Sequence, residues 1–177
     1  MTVSSKLLRT LRTWHRLPAG ELRERLEISR PTLMRAILAL GPDVVTRGQA
    51  RRTAYAARRP VRGNTAAIPL FRVDEAGRGS EVALLDPLYP HGCAMQFQAP
   101  FEWPLLDDMR EGWFEGFPYP LDDMRPQGFL GRQLVREEGP LLQAPDNPRD
   151  WSDDDALHAM SLLGTDLPGN YLSLIHI

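Results

Sequence analysis

The sequence has few of the residues on which disulfide frameworks, thiolate metal clusters and membrane spans depend. Its 177 residues include one cysteine, Cys93, which excludes an internal disulfide bond and a cluster of cysteine ligands. No apolar run approaches the roughly 18 residues of a membrane helix, and the N-terminus lacks the apolar core of a secretion signal. These absences predict a cytoplasmic protein that does not enter a membrane.

Recognisable catalytic motifs are absent as well. The sequence contains neither GxxxxGK[ST] nor GxGxxG, the loops that bind phosphates, and its four histidines do not have the spacing of a zinc site. Runs of adjacent aspartates occur, but adjacent side chains point to different faces, and acidic residues are typical of helix N-termini. We therefore predict no catalytic, cofactor-binding or metal-binding residue in this sequence.

The two halves of the chain have opposite charge. Residues 1–62 hold 14 Lys and Arg against 4 Asp and Glu, a net charge of +10, whereas residues 63–177 hold 7 against 19, a net charge of −12. Lys6 is the single lysine among the 21 cations, and the planar guanidinium of arginine matches phosphate and guanine edges. This asymmetry predicts a domain boundary and favours contact between the first half and nucleic acid.

Three amphipathic helices are predicted in the first 41 residues. The first ends near Arg16, the second covers residues 19–26 and the third covers residues 30–40. Ser29 is the predicted N-cap of the third helix. Two short helices joined by a three-residue turn have the spacing of a helix-turn-helix, in which the N-terminal part of the second helix of the pair enters the major groove.

A β-hairpin is predicted directly after the third helix. Residues 43–47 and 51–56 have the pattern of strands around a turn at Gly48, with arginines near the tip. Such a basic hairpin would lie along the phosphate backbone, so we predict a winged helix-turn-helix DNA-binding domain at residues 1–57. The alternative is a plain three-helix bundle with a solvated arginine face. The predicted DNA-binding residues are Ser29, Arg30, Thr32, Arg35, Arg47, Arg51 and Arg52.

The second half is predicted to follow a linker at residues 58–67. The predicted strands cover residues 68–73, 81–85 and 93–98. Residues 99–131 are rich in proline, glycine and aromatic side chains and are predicted to be irregular, with short helical turns. A helix is predicted after Ser152, its N-cap, with three aspartates in the first turn. A small antiparallel sheet with helices packed on it follows from this pattern, so the fold class is α+β.

Long strings in the second half resemble a known family. They are residues 122–132 (DDMRPQGFLGR), 147–155 (NPRDWSDDD) and 164–170 (GTDLPGN). These strings are similar to the N-terminal region of HipA-family serine/threonine kinases, the toxins of type II toxin–antitoxin systems. The resemblance is closest to the YjjJ-type branch, whose members carry a helix-turn-helix before the kinase.

This resemblance implies a HipA-like N-terminal subdomain at residues 68–171, within a longer kinase that uses ATP and Mg²⁺ to phosphorylate a protein target. The ATP-binding loop and catalytic residues of such kinases lie beyond the segment that is similar, so this chain is expected not to be an enzyme and to need no cofactor itself. The expected partners are double-stranded DNA, the missing C-terminal kinase region and a second copy in a homodimer.

Two further expectations concern a truncated chain. Residues 172–177 (LSLIHI) depart from the family pattern and are expected to be a non-native, adapter-derived tail that packs poorly. If the chain lacks the kinase that would cover it, aromatic side chains are expected to be exposed. These side chains are Phe101, Trp103, Trp113 and Phe114.

Two alternatives use the same charge pattern differently. The chain could be a complete small transcription regulator, in which the acidic half senses a ligand or mediates dimerisation. Alternatively, the basic half could dock on the acidic half of its own chain and not meet DNA.

Overall fold

The computed structural model describes residues 2–74, 76–100, 104–163 and 171–173, and its architecture is α+β. The helices are α1 (Val3–Thr13), α2 (Ala19–Leu26), α3 (Arg30–Leu40), α4 (Gly128–Leu142) and α5 (Asp153–Leu163). The strands are β1 (Leu17–Pro18), β2 (Val44–Arg47), β3 (Ala54–Ala57), β4 (Ile68–Val73), β5 (Gly79–Pro87), β6 (Cys93–Phe97), β7 (Trp113–Phe114) and β8 (Tyr171–Ser173). Within these ranges, each helix is too short or too polar to cross a bilayer.

The strands form two sheets. The first has the order β1-β3-β2 and is antiparallel throughout, with Tyr55 opposite both Leu17 and Thr46. The second has the order β7-β6-β5-β4-β8. Its strand β4 pairs antiparallel with β5 and with β8, and β6 pairs antiparallel with β7.

The chain divides into two compact units that do not follow the linear division of the sequence. Unit 1 contains the described residues of 1–60, 86–96 and 104–116, and unit 2 contains those of 61–85, 97–103 and 117–177. Segments from the second half of the chain therefore belong to the same unit as the basic N-terminal helices. Part of the predicted linker also belongs to unit 1, because the Nε of Arg59 donates to the Leu88 carbonyl at 2.9 Å.

The main core of unit 1 lies between the three N-terminal helices and β3. Leu7 and Leu11 are four residues apart on α1 and are both fully buried, as the helical period requires. Leu22 of α2 and Leu33 of α3 complete the centre of this cluster. Burying a leucine side chain contributes roughly 1.5–3 kcal/mol, so these leucines provide much of the stability that fixes α2 against α3.

A second buried cluster joins the β2–β3 hairpin to residues from later in the chain. Val45 and Ala56 of the hairpin pack with Leu88 and Trp113. Trp113 is 3% exposed and Phe114 is 2% exposed, so the expected exposure of these two aromatic side chains is wrong. Trp113 is covered by residues of unit 1, among them Val45, Ala56 and Leu88. Phe101 and Trp103 lie outside the described residues.

Unit 2 is built on β4 and its two neighbours. Strand β4 has the predicted bounds, and a bulge between Leu70 and Phe71 shifts its register against β5. Leu172 and Ser173 lie in β8, where they pair with Phe71 and Leu70. The backbone of these two residues thus adds to a sheet edge, and the expectation that residues 172–177 are a non-native tail stays a prediction. Residues 174–177 lie outside the described residues.

Two helices complete unit 2, and only one was predicted. The predicted N-cap of α5 is confirmed, because the Asp155 backbone N–H donates to Ser152 Oγ at 3.2 Å. Helix α4 begins at Gly128, inside the segment predicted to be irregular. It contains Pro140 two residues before it ends at Leu142, so the helical hydrogen bond that the backbone N–H of this position would donate is missing from its last turn.

Candidate nucleic-acid interface

Helix α3 has one buried face and one exposed basic face. Leu33 and Ala36 are buried at 0% and 4% exposure, and they hold the helix against the core of unit 1. Arg30 and Arg35 are exposed, and Thr32 is half-buried between them. The bounds of α2 and α3 coincide with the predicted ones, so Arg30 lies at the N-terminal tip of α3, and Thr32 and Arg35 follow within its first two turns.

Ser29 fixes the start of this face. Its side chain accepts the Thr32 backbone N–H at 3.4 Å, and the two hydroxyl oxygens of Ser29 and Thr32 are 2.9 Å apart. Before it, Glu27 adopts a left-handed conformation with φ of +54°, which turns the chain sharply after α2. Ser29 therefore acts as a helix cap, a role that is structural whether or not it also contacts a ligand.

The hairpin places Arg51 near Arg30. Both arginines line a cavity of about 290 Å³, together with the start of α2 at Ala19 and Gly20. Arg51 is exposed and lies in a short helical turn between β2 and β3. The structure thus brings one predicted residue of the hairpin beside one predicted residue of α3 and exposes both to solvent.

Arg47 has a different environment from Arg51. Its Nη2 contacts Asp86 Oδ2 at 2.6 Å, and its Nε donates to the Met95 carbonyl at 3.2 Å. Asp86 is 1% exposed and also pairs with Arg58 at 2.8 Å. Burial raises the pKa of Asp86, and the charges of Arg58 and Arg47 oppose that shift. Burial also lowers the pKa of Arg47, against the charge of Asp86. This guanidinium is thus held inside unit 1.

Arg52 is exposed but has a carboxylate partner. Its Nη1 lies 2.9 Å from Glu111 Oε1, and 79% of the arginine side chain remains accessible. Arg110 lines the same cavity as Arg47 and Arg52 and was missed by the sequence analysis, which treated residues 99–131 as irregular. The local signal for Arg110 is the short helix Asp107–Glu111, but nothing in its spacing indicates that it reaches the hairpin.

The acidic segments reduce the charge of unit 1. Its three chain segments hold 14 Lys and Arg against 9 Asp and Glu, a net charge of +5 in place of the +10 of residues 1–62. Ion pairs between arginines of residues 1–62 and carboxylates of residues 63–177 are present in this unit, as the alternative in which the two halves dock on each other predicts. They are the ion pairs Arg16–Asp108, Arg47–Asp86, Arg52–Glu111 and Arg58–Asp86.

Two histidines of unit 1 stack on each other. The rings of His15 and His91 lie 5.2 Å apart and are 9° from parallel. Burial lowers the pKa of His15, and the charges of His91 and Arg16 add to this effect. Cys93, two residues from His91, is buried on β6. Within the described ranges, no three His, Cys, Asp or Glu side chains are grouped closely enough to hold a metal ion.

Known proteins match most of this chain. Residues 64–173 match the family of the YjjJ-like toxin, middle domain. The protein Toxin YjjJ of Escherichia coli (strain K12) is 38% identical over 154 residues, which cover 87% of this chain and 32% of the relative. The chain thus spans about a third of the length of the curated relative that it matches. No solved structure matches the chain. The chain belongs to the YjjJ-like toxin family.

Proposed function

We propose that this chain binds double-stranded DNA through a winged helix-turn-helix formed by α1–α3 and the β2–β3 hairpin. The observation that carries the proposal is that Arg30, at the N-terminal tip of α3, and Arg35, on the side of the helix away from the buried Leu33, are both exposed. Arg51 of the hairpin lines the same cavity as Arg30, so helix and hairpin present one basic surface. A helix of this kind enters the major groove, while the hairpin contacts phosphates.

The proposed contact residues are a subset of those predicted from the sequence. Arg30, Thr32 and Arg35 would reach base edges or phosphates from α3, and Arg51 would contact a phosphate from the hairpin. Ser29 supports them as the helix cap. Arg47 is left out, because its guanidinium is already engaged by Asp86 and by the Met95 carbonyl.

A salt titration of duplex-DNA binding tests the proposal. Each phosphate that a cation neutralises contributes a slope of about 0.9 to the dependence of log K on log salt, so Arg30→Ala/Arg35→Ala should lower the slope by up to about 1.8 and weaken binding. The matched control is Arg132→Ala/Arg136→Ala, which removes two exposed arginines from α4 in unit 2. DNA binding that is absent, or equally weakened by both pairs, contradicts the proposal.

For the longer protein we propose the activity of a HipA-like serine/threonine kinase. The support is the resemblance of residues 122–132 and 147–155 to that family and the membership in a toxin family. Such a kinase transfers the terminal phosphoryl group of Mg²⁺-bound ATP to a hydroxyl oxygen of a protein. No residue of this chain is assigned a role in that step. Phosphorylation of protein by a full-length relative, tested with labelled ATP in the presence and absence of Mg²⁺, decides this proposal.

A further inference from the structure

A cavity of about 770 Å³ lies beside the tip of the β2–β3 hairpin in unit 1. Arg47, Arg52 and Arg110 line it together with two glutamine amides, and Glu111 is the acidic residue of its lining. We call it the arginine cavity. Its volume lies in the range of small-molecule sites. Arg110 is not among the seven residues that the sequence predicts to contact DNA.

The lining of the arginine cavity has an excess of positive charge. Three arginines against one glutamate leave a charge of +2. Asp86 does not remove this excess, because its single negative charge is shared between Arg47 and Arg58. Among the described residues, Arg110 has no carboxylate partner. Its Nε donates to the Leu105 carbonyl at 2.9 Å, which fixes the guanidinium and leaves its terminal N–H groups for another acceptor.

The hairpin backbone passes close to the carboxylate of Glu111 at Gly48. Gly48 has φ of +85°, and a Cβ on it would lie 2.3 Å from the Arg52 carbonyl oxygen and 3.0 Å from Glu111 Oε2. A side chain at this position would therefore collide with the Arg52 backbone and crowd the Glu111 carboxylate. The Glu111 carboxylate thus lies beside Arg52 in a position where an anion from solution could also bind.

We propose that the arginine cavity binds a phosphate group, which displaces the Glu111 carboxylate from Arg52 and is held by Arg52 and Arg110. Guanidinium groups bind phosphate through paired, charge-assisted hydrogen bonds. A phosphate that meets both arginines makes more of these bonds than the single exposed pair between Arg52 and Glu111, which contributes little. The phosphate belongs to a free polyphosphate-type anion or to the DNA backbone. The second source rests on the proposed DNA binding, and the first does not.

Calorimetric titration of the whole chain with inorganic tripolyphosphate, at constant ionic strength, tests the first source. Arg52→Ala/Arg110→Ala should weaken binding about tenfold or more, because it removes both charge-assisted donors. Glu111→Gln keeps the size of the side chain and removes the competing charge, so it should tighten binding about two- to fivefold. An unfolded variant would lose affinity for tripolyphosphate, so tighter binding by Glu111→Gln cannot result from unfolding. Arg132→Ala/Arg136→Ala carries the same loss of charge in unit 2 and should bind like the wild type.

The same variants are titrated with duplex DNA to identify the source of the phosphate. Effects on tripolyphosphate alone assign the site to a free anion. If the variants change the affinity for DNA alone and tripolyphosphate does not bind, the phosphate is that of the DNA backbone. Either result supports the proposed site. The proposal is overturned if neither Arg52→Ala/Arg110→Ala nor Glu111→Gln alters either ligand, or if the control pair weakens binding equally. If the wild type binds no DNA, the proposed function fails and the tripolyphosphate titration still decides this site.

Discussion

Replacing Arg47 by methionine tests whether this arginine stabilises unit 1. Methionine retains aliphatic packing but removes the guanidinium that pairs with Asp86, a residue that is 1% exposed. Breaking a buried ion pair by removing one partner typically costs about 3–5 kcal/mol. Here Arg58 still pairs with Asp86, and 17% of the Arg47 side chain is accessible, so we expect a loss of about 2–3 kcal/mol in the free energy of unfolding.

This loss should depend on pH in a defined direction. Burial already raises the pKa of Asp86, and removing the positive charge of Arg47 raises that pKa further. A carboxyl group whose pKa is higher in the folded chain than in the unfolded chain lowers stability as the pH rises through that interval. We therefore expect Arg47→Met to be more destabilising at pH 7.5 than at pH 5.

Urea unfolding at both pH values measures the effect, and Arg51→Met is the matched control. Arg51 is exposed, so its loss should change stability by no more than about 0.5 kcal/mol while weakening DNA binding. The reasoning is refuted if Arg47→Met is as stable as Arg51→Met at pH 7.5 and loses as much affinity for DNA. That result would mean that Arg47 leaves Asp86 and contacts the nucleic acid.

Two further predictions concern stability. Because burial lowers the pKa of His15, the unfolded chain takes up this proton at higher pH than the folded chain, so the free energy of unfolding should fall as the pH drops below the usual value of 6.5. His15→Gln should reduce that slope in urea unfolding, and an unchanged slope would contradict the assignment. Gly112→Ala should cost about 1–3 kcal/mol more than Gly63→Ala in thermal unfolding, since both glycines have positive φ but a Cβ at Gly112 would lie 2.1 Å from the Met95 carbonyl oxygen. Equal losses would show that strain from φ alone dominates.

The sequence predicts those elements whose ends depend on local chemistry. The bounds of α3 follow from the Ser29 cap and from Gly41, which ends the helix with φ of +53°. Helix α4 was missed because its glycines and Pro140 are typical of loops. One of these glycines is required by packing, since a Cβ at Gly131 would lie 2.7 Å from the Pro126 carbonyl carbon. This close approach to the chain just before the helix has no periodic pattern that a sequence could reveal.

The environment of the predicted site residues depends on contacts across the chain. Arg47, Arg51 and Arg52 are equivalent in the sequence, because all three are arginines near the tip of one hairpin. The structure separates them, with Arg47 held by Asp86, Arg52 paired with Glu111 and Arg51 exposed. The two carboxylates come from segments 39 and 59 residues away, beyond the reach of any helical or strand period.

These pairings change what the charge of the first half implies for binding. The count of +10 over residues 1–62 treats each arginine as available, whereas unit 1 carries +5 and several of its arginines already have carboxylate partners. Arg30, Arg35 and Arg51 remain exposed on the proposed surface. If each meets one phosphate, they account for a salt slope of about 2.7, and base contacts by α3 would lower it further. Affinity on this surface therefore depends on where three arginines lie more than on the total charge of the half that contains them.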